Sequence, residues 1–445
     1  MRKISIFGLG PVGLVTAVCF AKRGWPVIGI DPDVRRVEMI SKGRAPFVEP
    51  SLGTYLKEVV ESGTLKATSE SQTNTESEFT YITVGTPGAE DGSIDLSYIQ
   101  SAAVAIGESL RRRSEHQLVV VKSTVVPGTA RNIVKPILEE KSGKTLGNGF
   151  GLCSNPEFLR EGNAIYDSEF PDRIVIGSER PDDLEALEAF YREFYRDKTP
   201  PIIKTSYENA ELTKYANNSF LAMKVSYINM IANLCQKIKG ADVEDVAKGI
   251  GLDKRIGPLF LRAGLGWGGS CFPKDLKAIA AYGKKVNVET SLVDAAITLN
   301  DSQPFKAVEM AERLLGPLKG KRVGILGLAF KPDTDDLREA VSIPLIRELT
   351  SRGADVIAYD PAAMPNAKSL LHDEVKYAAT PTDCINNAEC CIIVTEWDEF
   401  RKMTPQLFLQ KMKQPVVIDG RRIFDLSTFT SAGVNFSAIG LGERN

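Results

Sequence analysis

One cysteine, Cys271, lies between a glycine-rich run (Gly264, Gly266, Gly268, Gly269) and the tripeptide Pro273-Lys274-Asp275. Glycine at this density suits neither helix nor strand interior, so the stretch is expected to be a loop presenting the thiol. A cysteine beside exposed backbone N–H groups and a lysine is placed for nucleophilic attack on carbon. The alternative is an inert, buried cysteine, the commoner fate of this residue type. A second constellation opens the chain: Gly8-Leu9-Gly10-Pro11-Val12-Gly13, then Asp31. Further groups that could do chemistry are Glu157 and Glu161, Lys214 and Asn218, Lys331 and Arg338, and the pair Arg421-Arg422.

The elements that must hold these groups follow from the pattern around them. Lys3–Phe7 reads as a strand, the glycine run as a turn, the apolar stretch to Arg23 as a helix ended by Gly24, and Pro26–Ile30 as a second strand. Strand, G-x-G-x-x-G, helix, strand and acid within about 30 residues form a dinucleotide site: phosphates meet the helix N-terminus and Asp31 meets the ribose hydroxyls. Asp31 favours NAD over a 2′-phosphorylated cofactor. The alternation continues with strands at Tyr81–Val84 and Leu118–Lys122, ending in Gly85-Thr86 and Ser123-Thr124. The span Thr68–Thr80 is expected as surface helix and loop, and Arg111–Arg113 as a solvated helix end. Glu157 and Glu161, four apart, would share one helix face and by themselves read as solvated. Thr205 and Glu208 form a capping box, and a single helix is expected from there to Lys239, stopped by Gly240. Its apolar residues (Leu212, Phe220, Leu221, Val225, Ile228, Ile231, Leu234) predict burial on much of its circumference, between domains or at a subunit interface. Lys214 and Asn218 lie on one face of it; Lys214 either serves chemistry or extends to water. A second strand–turn–strand series, Arg322–Leu326 and Ala354–Pro361, echoes the first, with Ala329 where the second glycine stood. It predicts a further doubly wound unit for another phosphorylated ligand, with strands at Cys390–Thr395 and, last, Val416–Ile418. Arg421 and Arg422 at that strand's end are either a phosphate clamp or plain surface.

With 445 residues the chain has length for about three domains. Hydrophobic residues at 43% and charged residues at 25% are those of a globular protein with sizeable cores. A net charge of −2 offers no general attraction to nucleic acid or anionic membrane, and no apolar run approaches the length of a membrane span. The N-terminus runs straight into a strand pattern without a leader. Seven cysteines without regular spacing fit a reducing, cytoplasmic setting, with Cys390 and Cys391 in core. Two histidines, His116 and His372, exclude a His-based hydride or metal site.

Four motifs taken together, Gly266–Asp275 (GWGGSCFPKD), Asn155–Gly162 (NPEFLREG), Ala210–Asn218 (AELTKYANN) and Gly327–Arg338 (GLAFKPDTDDLR), resemble the UDP-glucose dehydrogenase family, within the UDP-glucose/GDP-mannose dehydrogenase superfamily. The resemblance covers nearly the whole chain. It implies an α/β fold of two Rossmann-like doubly wound domains joined by a long central helix that forms a homodimer core. Boundaries follow at 1–204 (NAD-binding), 205–304 (helical, with the cysteine loop) and 305–445 (UDP-sugar-binding). It implies four-electron oxidation of a nucleotide sugar with two NAD and no metal. Cys271 resembles the nucleophile that carries a thiohemiacetal and then a thioester. Lys214 and Asn218 are similar to the pair that holds the oxyanion, and Asp275 to the carboxylate acting through water. Thr124 and Glu157 resemble residues positioning that water, and Glu161 one near the nicotinamide. Gly8, Gly10, Val12, Gly13, Asp31, Arg36, Thr86, Thr124, Glu161 and Arg338 would then contact NAD. Glu157, Phe158, Leu159, Arg160, Lys214, Asn218, Phe260, Gly268, Lys331 and Arg421 or Arg422 would contact the sugar nucleotide, as would Arg255 from the partner subunit. Trp267 stands where the family commonly has Phe. The cysteine segment lacks the spacing of GDP-mannose enzymes and the Cys-Ile-Pro-Val-Asp ending of N-acetylmannosamine relatives, which favours UDP-glucose. The competing readings are a GDP-mannose or UDP-N-acetylhexosamine 6-dehydrogenase, and an idle nucleotide-binding module, which would have lost Cys271, Lys214 or Asp275.

Overall fold

An apolar strand bounded by charge at one end and glycine at the other belongs in the middle of a parallel sheet, and β1 (Ile4–Phe7) is buried along its whole length. The computed structural model describes residues 2–71 and 76–443. Within these residues the chain divides into two compact units, Met1–Asn217 with Lys277–Val286, and Asn218–Leu276 with Asn287–Asn445.

In the first unit β1 is joined by β2 (Val27–Ile30), β3 (Leu65–Thr68), β4 (Phe79–Ile82), β5 (Gln117–Val121), β6 (Thr145–Leu146), β7 (Gly149–Ser154), β8 (Ile174–Gly177) and β9 (Ile202–Thr205). The order is β3-β2-β1-β4-β5-β7-β8-β9, with β6 on β7. The β7–β8 pair is antiparallel and β1 pairs parallel with both β2 and β4, a doubly wound sheet whose order reverses at β1. The helix Pro11–Lys22, with Pro at its first turn, is buried over most of its length against this sheet. The strand expected at Tyr81–Val84 begins two residues earlier. Thr83 follows β4, its amide and hydroxyl both donating to the Phe7 carbonyl and the hydroxyl also to that of Gly8. Of the span expected as surface helix and loop, residues 72–75 lie outside the described ones, while Phe79 and Thr80 open β4 and are buried. Of the three arginines expected in solvent, Arg111 and Arg112 are exposed, whereas Arg113 is buried and donates to the Glu115 carbonyl.

The long helix runs from Tyr207 to Cys235, about 43 Å at 1.5 Å per residue. It is shorter than expected at both ends. Thr205 closes β9, and Ser206 Oγ accepts the Asn209 N–H in place of the expected cap. Glu208 turns instead to Arg131, at 2.5 Å. At the far end the Lys237 and Ile238 amides tighten to three-residue spacing, on Leu234 and Cys235, and end the helix before Gly240. Phe220, Tyr227, Leu234 and Ile238 are exposed, so one stripe of this helix and its continuation is apolar and unburied within the chain.

The second unit holds β10 (Arg322–Leu326), β11 (Asp355–Tyr359), β12 (Lys376–Tyr377), β13 (Cys390–Ile393), β14 (Val416–Asp419) and β15 (Asn435–Ala438), in the order β12-β11-β10-β13-β14-β15. Every pair is parallel. This is the same winding as β3-β2-β1-β4-β5-β7, so the echo in the sequence is an echo in topology. β14 was expected to be last. β15 follows it as an edge strand, half-exposed and therefore without the apolar run that marks the others. Cys390 and Cys391 are in the core. Among the described residues no helix is long and apolar enough to cross a membrane.

Candidate active site

In the first unit the glycine turn does what its spacing requires. A Cβ on Gly13 would stand 1.8 Å from the Gly8 carbonyl, so the turn and helix close only on glycine. At Gly10 nothing lies within 4 Å of a Cβ, which leaves the N-terminus of the Pro11–Lys22 helix open to a phosphate. Asp31 is buried and accepts from the Leu9 and Asp33 amides at 2.7 and 2.9 Å and from Arg36 at 2.8 Å. Thr86 donates to the Thr124 carbonyl, tying the ends of β4 and β5 together. An open helix N-terminus beside a fixed carboxylate fits a dinucleotide.

Glu157 and Glu161 do not share a helix face. Residues 155–162 are an irregular loop between β7 and the helix Ala164–Glu169, because carboxylates take its amides. Glu157 accepts from Leu159, Asp167 from Arg160, and Glu49 from Gly162 and Ala164. Arg160 returns its guanidinium to Asp167. Glu161 is half-buried, but Glu157 is not solvated: it is buried and meets Lys214 Nζ at 2.8 Å, with side-chain exposures of 7% and 4%. Lys214 therefore does not extend to water; its ammonium also lies 5.5 Å over the Phe158 ring. Burial would raise the Glu157 carboxyl, but Lys214, the Leu159 amide and Lys122 outweigh it and hold the carboxyl below the usual range.

Cys271 is placed more specifically than a loop would place it. Its carbonyl accepts the Asp275 amide at 2.9 Å, so it caps the helix Phe272–Lys285, where the partial positive charge of the N-terminus favours an anion. The glycine run before it is fixed. Asn229 accepts the Gly264 amide and Gln303 donates to the Gly264 carbonyl, while Asn300 bonds both the amide and the carbonyl of Trp267. Gly266 has φ +106°, and a Cβ there would meet Asn300 Oδ1 at 2.8 Å. Asp275 is buried and accepts Asn218 Nδ2 at 2.7 Å and Lys274 Nζ at 2.5 Å. Lys274 is thus paired with Asp275, a partner the loop reading did not foresee.

The remaining expected residues of the second unit range from exposed to half-buried. Gly268 packs on the Glu339 carbonyl. Arg255 is exposed and bonded to Asp253, and Phe260 is partly exposed at φ +64°. Lys331 lies over the Phe330 ring and Arg338 is bonded to Asp336. Neither Arg421 nor Arg422 is plain surface. Arg421 donates to the carbonyls of Val394 and Gly266, and Arg422 to Asp242 and Glu244. Asp360 repeats the position of Asp31, accepting the Leu328 amide at 2.7 Å, but Ala329 N and Trp397 Nε1 fill the same oxygen. That leaves no acceptor edge for a ribose. Beside it a cavity of about 540 Å³ is lined by Arg262, Tyr359, Glu396, Trp397, Glu399 and Arg401.

Models of one family's NAD-binding, central and UDP-binding domains match residues 2–195, 208–302 and 324–426. The UDP-glucose 6-dehydrogenase of Haloferax volcanii is 44% identical over 95% of this chain and 97% of its own. The chain belongs to the UDP-glucose/GDP-mannose dehydrogenase family. The UDP-glucose 6-dehydrogenase TuaD of Bacillus subtilis is 40% identical, over 99% and 93% of the two chains. A solved UDP-glucose dehydrogenase from Pyrobaculum islandicum superposes with TM-score 0.90 at 39% identity, covering 99% and 98%. As a member of the family this chain is an NAD-dependent dehydrogenase, with its NAD-binding domain over residues 2–195 and its UDP-binding domain over residues 324–426.

Sequence reading passed over several residues of these sites. Asn229, Asn300 and Gln303 are buried amides that hold the glycine run, and an amide inside an apolar helix was their one signal. Lys122, at the end of an apolar strand, was read as a strand boundary. Its Nζ donates to Asn155 Oδ1 at 3.2 Å, and burial pushes it down to about 8.

Proposed function

We propose that this dehydrogenase oxidises the C6 hydroxymethyl of UDP-glucose to the carboxylate of UDP-glucuronate. The balance is one sugar nucleotide, two NAD⁺ and one water to one carboxylate, two NADH and three protons. The observation that carries this reading is Cys271 at the N-terminus of a helix whose first turn also carries Asp275, a buried carboxylate with fixed partners. NAD supplies the hydride acceptor in both steps. Asp275, through water, takes the alcohol proton, and Lys214 with Asn218 stabilises the oxygen as negative charge develops on it. Cys271 Sγ adds to the C6 aldehyde, and the resulting thiohemiacetal is oxidised to a thioester. Water positioned by Thr124 and Glu157 cleaves that thioester and releases the carboxylate and the thiol.

In this reading Asp31, Arg36, Thr86, Glu161 and Arg338 hold NAD, and Phe158, Leu159, Arg160, Phe260, Gly268, Lys331 and Arg421 or Arg422 hold the nucleotide sugar. The exposed apolar stripe from Phe220 to Ile238 is the homodimer face, and Arg255 serves the partner subunit's substrate. The setting is cytoplasmic, with neither nucleic acid nor membrane as partner. A panel of UDP-glucose, GDP-mannose and UDP-N-acetylhexosamines, with NADH counted per sugar, tests the reading. Two NADH per UDP-glucose are expected. Preference for another sugar, or one NADH per sugar, would overturn it.

A further inference from the structure

The glycine run that leads to Cys271 belongs to no strand. Gly266 and Gly269 stand at φ +106° and +86°, left-handed backbone that suits glycine and breaks a ladder. Buried backbone amides and carbonyls nevertheless need partners. Those of Gly264 are divided between two side chains, Asn229 and Gln303. Trp267 finds both partners in one. Asn300 Oδ1 accepts its amide at 2.7 Å and Asn300 Nδ2 donates to its carbonyl at 3.0 Å. Asn300 thus does from the helix Ser291–Ser302 what a neighbouring strand does in a sheet. It is 7% exposed, and its helix is tied to the long helix. Ser226 Oγ donates to the Ala296 carbonyl, one turn before Asn300, and accepts the Trp267 indole N–H, both at 3.0 Å. The carboxylate at the start of the next helix is held differently. Asp275 is anchored by Asn218 at 2.7 Å and Lys274 at 2.5 Å, side chains outside the run. Cys271 is carried on the backbone that Asn300 fixes, four residues beyond Trp267.

We propose that Asn300 is a positioning residue for the second oxidation: by closing both polar groups of Trp267 it holds the loop so that Cys271 Sγ meets the C6 aldehyde, and it leaves the first oxidation to groups anchored elsewhere. The inference deepens the reading above and rests on Cys271 as the nucleophile. In that reading the first hydride leaves the alcohol with no bond to sulfur. The thiol enters only afterwards. Its S–H proton passes to the aldehyde oxygen as the C6–S bond forms. The second NAD⁺ then takes the C6 hydride, the O–H proton is lost, and the thioester remains.

The experiment compares wild type, Asn300→Ala, Asn300→Asp and Cys271→Ser. Each is mixed, in excess over UDP-glucose, with saturating NAD⁺, and NADH is followed through one turnover. Asn300→Ala should form the first NADH within about threefold of the wild-type rate and the second about 10–100-fold more slowly, the loss expected when a reacting group is misplaced by about 1 Å. Asn300→Asp keeps the acceptor for the Trp267 amide and loses the donor to its carbonyl, so its second step should lie between. The C6 aldehyde of UDP-glucose, supplied as substrate, enters after the first hydride and should show the same loss. A merely structural role would slow both steps. Equal slowing of the two, or of neither, overturns the inference. If Asn300→Ala fails to fold, the split in Asn300→Asp decides. A second arm needs no substrate. Hydrogen exchange in the peptide spanning residues 264–271 should quicken about tenfold or more in the Asn300 variants, with exchange along the long helix unchanged. Unchanged exchange in that peptide overturns the inference. Two NADH per sugar from Cys271→Ser at the wild-type rate refutes the nucleophile and the inference together. A first step without a second in Cys271→Ser, beside no split in the Asn300 variants, refutes the inference alone.

Discussion

Replacing Lys214 by methionine separates the residue's structural part from its chemical one. The ion pair with Glu157 spans 2.8 Å, and the two side chains are 4% and 7% exposed. Removing one member of such a pair leaves a buried charge and costs about 3–5 kcal/mol. At about 2–4 °C per kcal/mol for a unit of this size, Lys214→Met is expected to melt about 6–20 °C below wild type at pH 7. The deficit should shrink toward pH 5. In wild type the Glu157 pKa is lowered by Lys214, so its contribution to stability is present above the unfolded carboxylate range and is lost as pH falls through the lowered value. Without Lys214, burial dominates and Glu157 takes up a proton, which removes most of the penalty. Lys214→Met/Glu157→Gln, which removes both members of the pair, should recover part of that loss. Its turnover should stay down by about 10²–10³-fold if Lys214 acts on the oxyanion. Calorimetry at pH 5 and 7 with steady-state NADH assays reads all of this. A single variant that melts like wild type at pH 7, or a double variant as unstable as the single, would refute the reasoning.

Cys271→Ser should keep NAD and sugar binding near normal and suppress turnover strongly; two NADH per sugar at the wild-type rate would return Cys271 to a structural role. Asp31→Ser removes the ribose acceptor and frees Arg36 from its 2.8 Å bond, so the KM ratio of NADP⁺ to NAD⁺ should fall; an unchanged ratio would locate the preference elsewhere. Glu211 accepts the Gly128 and Ala130 amides, yet burial pushes it up to about 8. The native state then holds a proton that the unfolded chain releases near 4.5, so this group's contribution falls by about 1.4 kcal/mol per pH unit as pH rises from about 5 to 8. Urea midpoints of Glu211→Gln should vary less across that window than those of wild type, and equal slopes would count against the shift.

The doubly wound units were legible because apolar strands, glycine turns and terminal acids recur at fixed spacing, and Asp31 and Asp360 end equivalent strands. Cys271 was legible from its neighbours, but its place at a helix start was not, since the glycines mask where the helix begins. Glu157 read as solvated because a carboxylate in a polar loop gives no sign that Lys214, 57 residues on, will neutralise it. Lys122 was passed over for the same reason: its hydrogen-bond partner Asn155 lies 33 residues on, and no local pattern joins them. Edge strands such as β15 lack the two-sided burial that writes a strand into the sequence.

The distribution of thiols has a practical consequence. All seven cysteines lack disulfides, and six of them are buried. Burial pushes the thiols of Cys19 and Cys384 up to about 12 and raises those of Cys153, Cys235, Cys390 and Cys391 as well. Cys271 alone is partly open, at a helix start. A limiting amount of iodoacetamide should therefore alkylate one site per native chain, and the fraction of activity lost should equal the fraction of chains labelled. If Cys271 is the nucleophile proposed above, the molecule carries its own active-site titrant: counting labelled chains in a preparation counts competent catalytic centres, before any substrate is added.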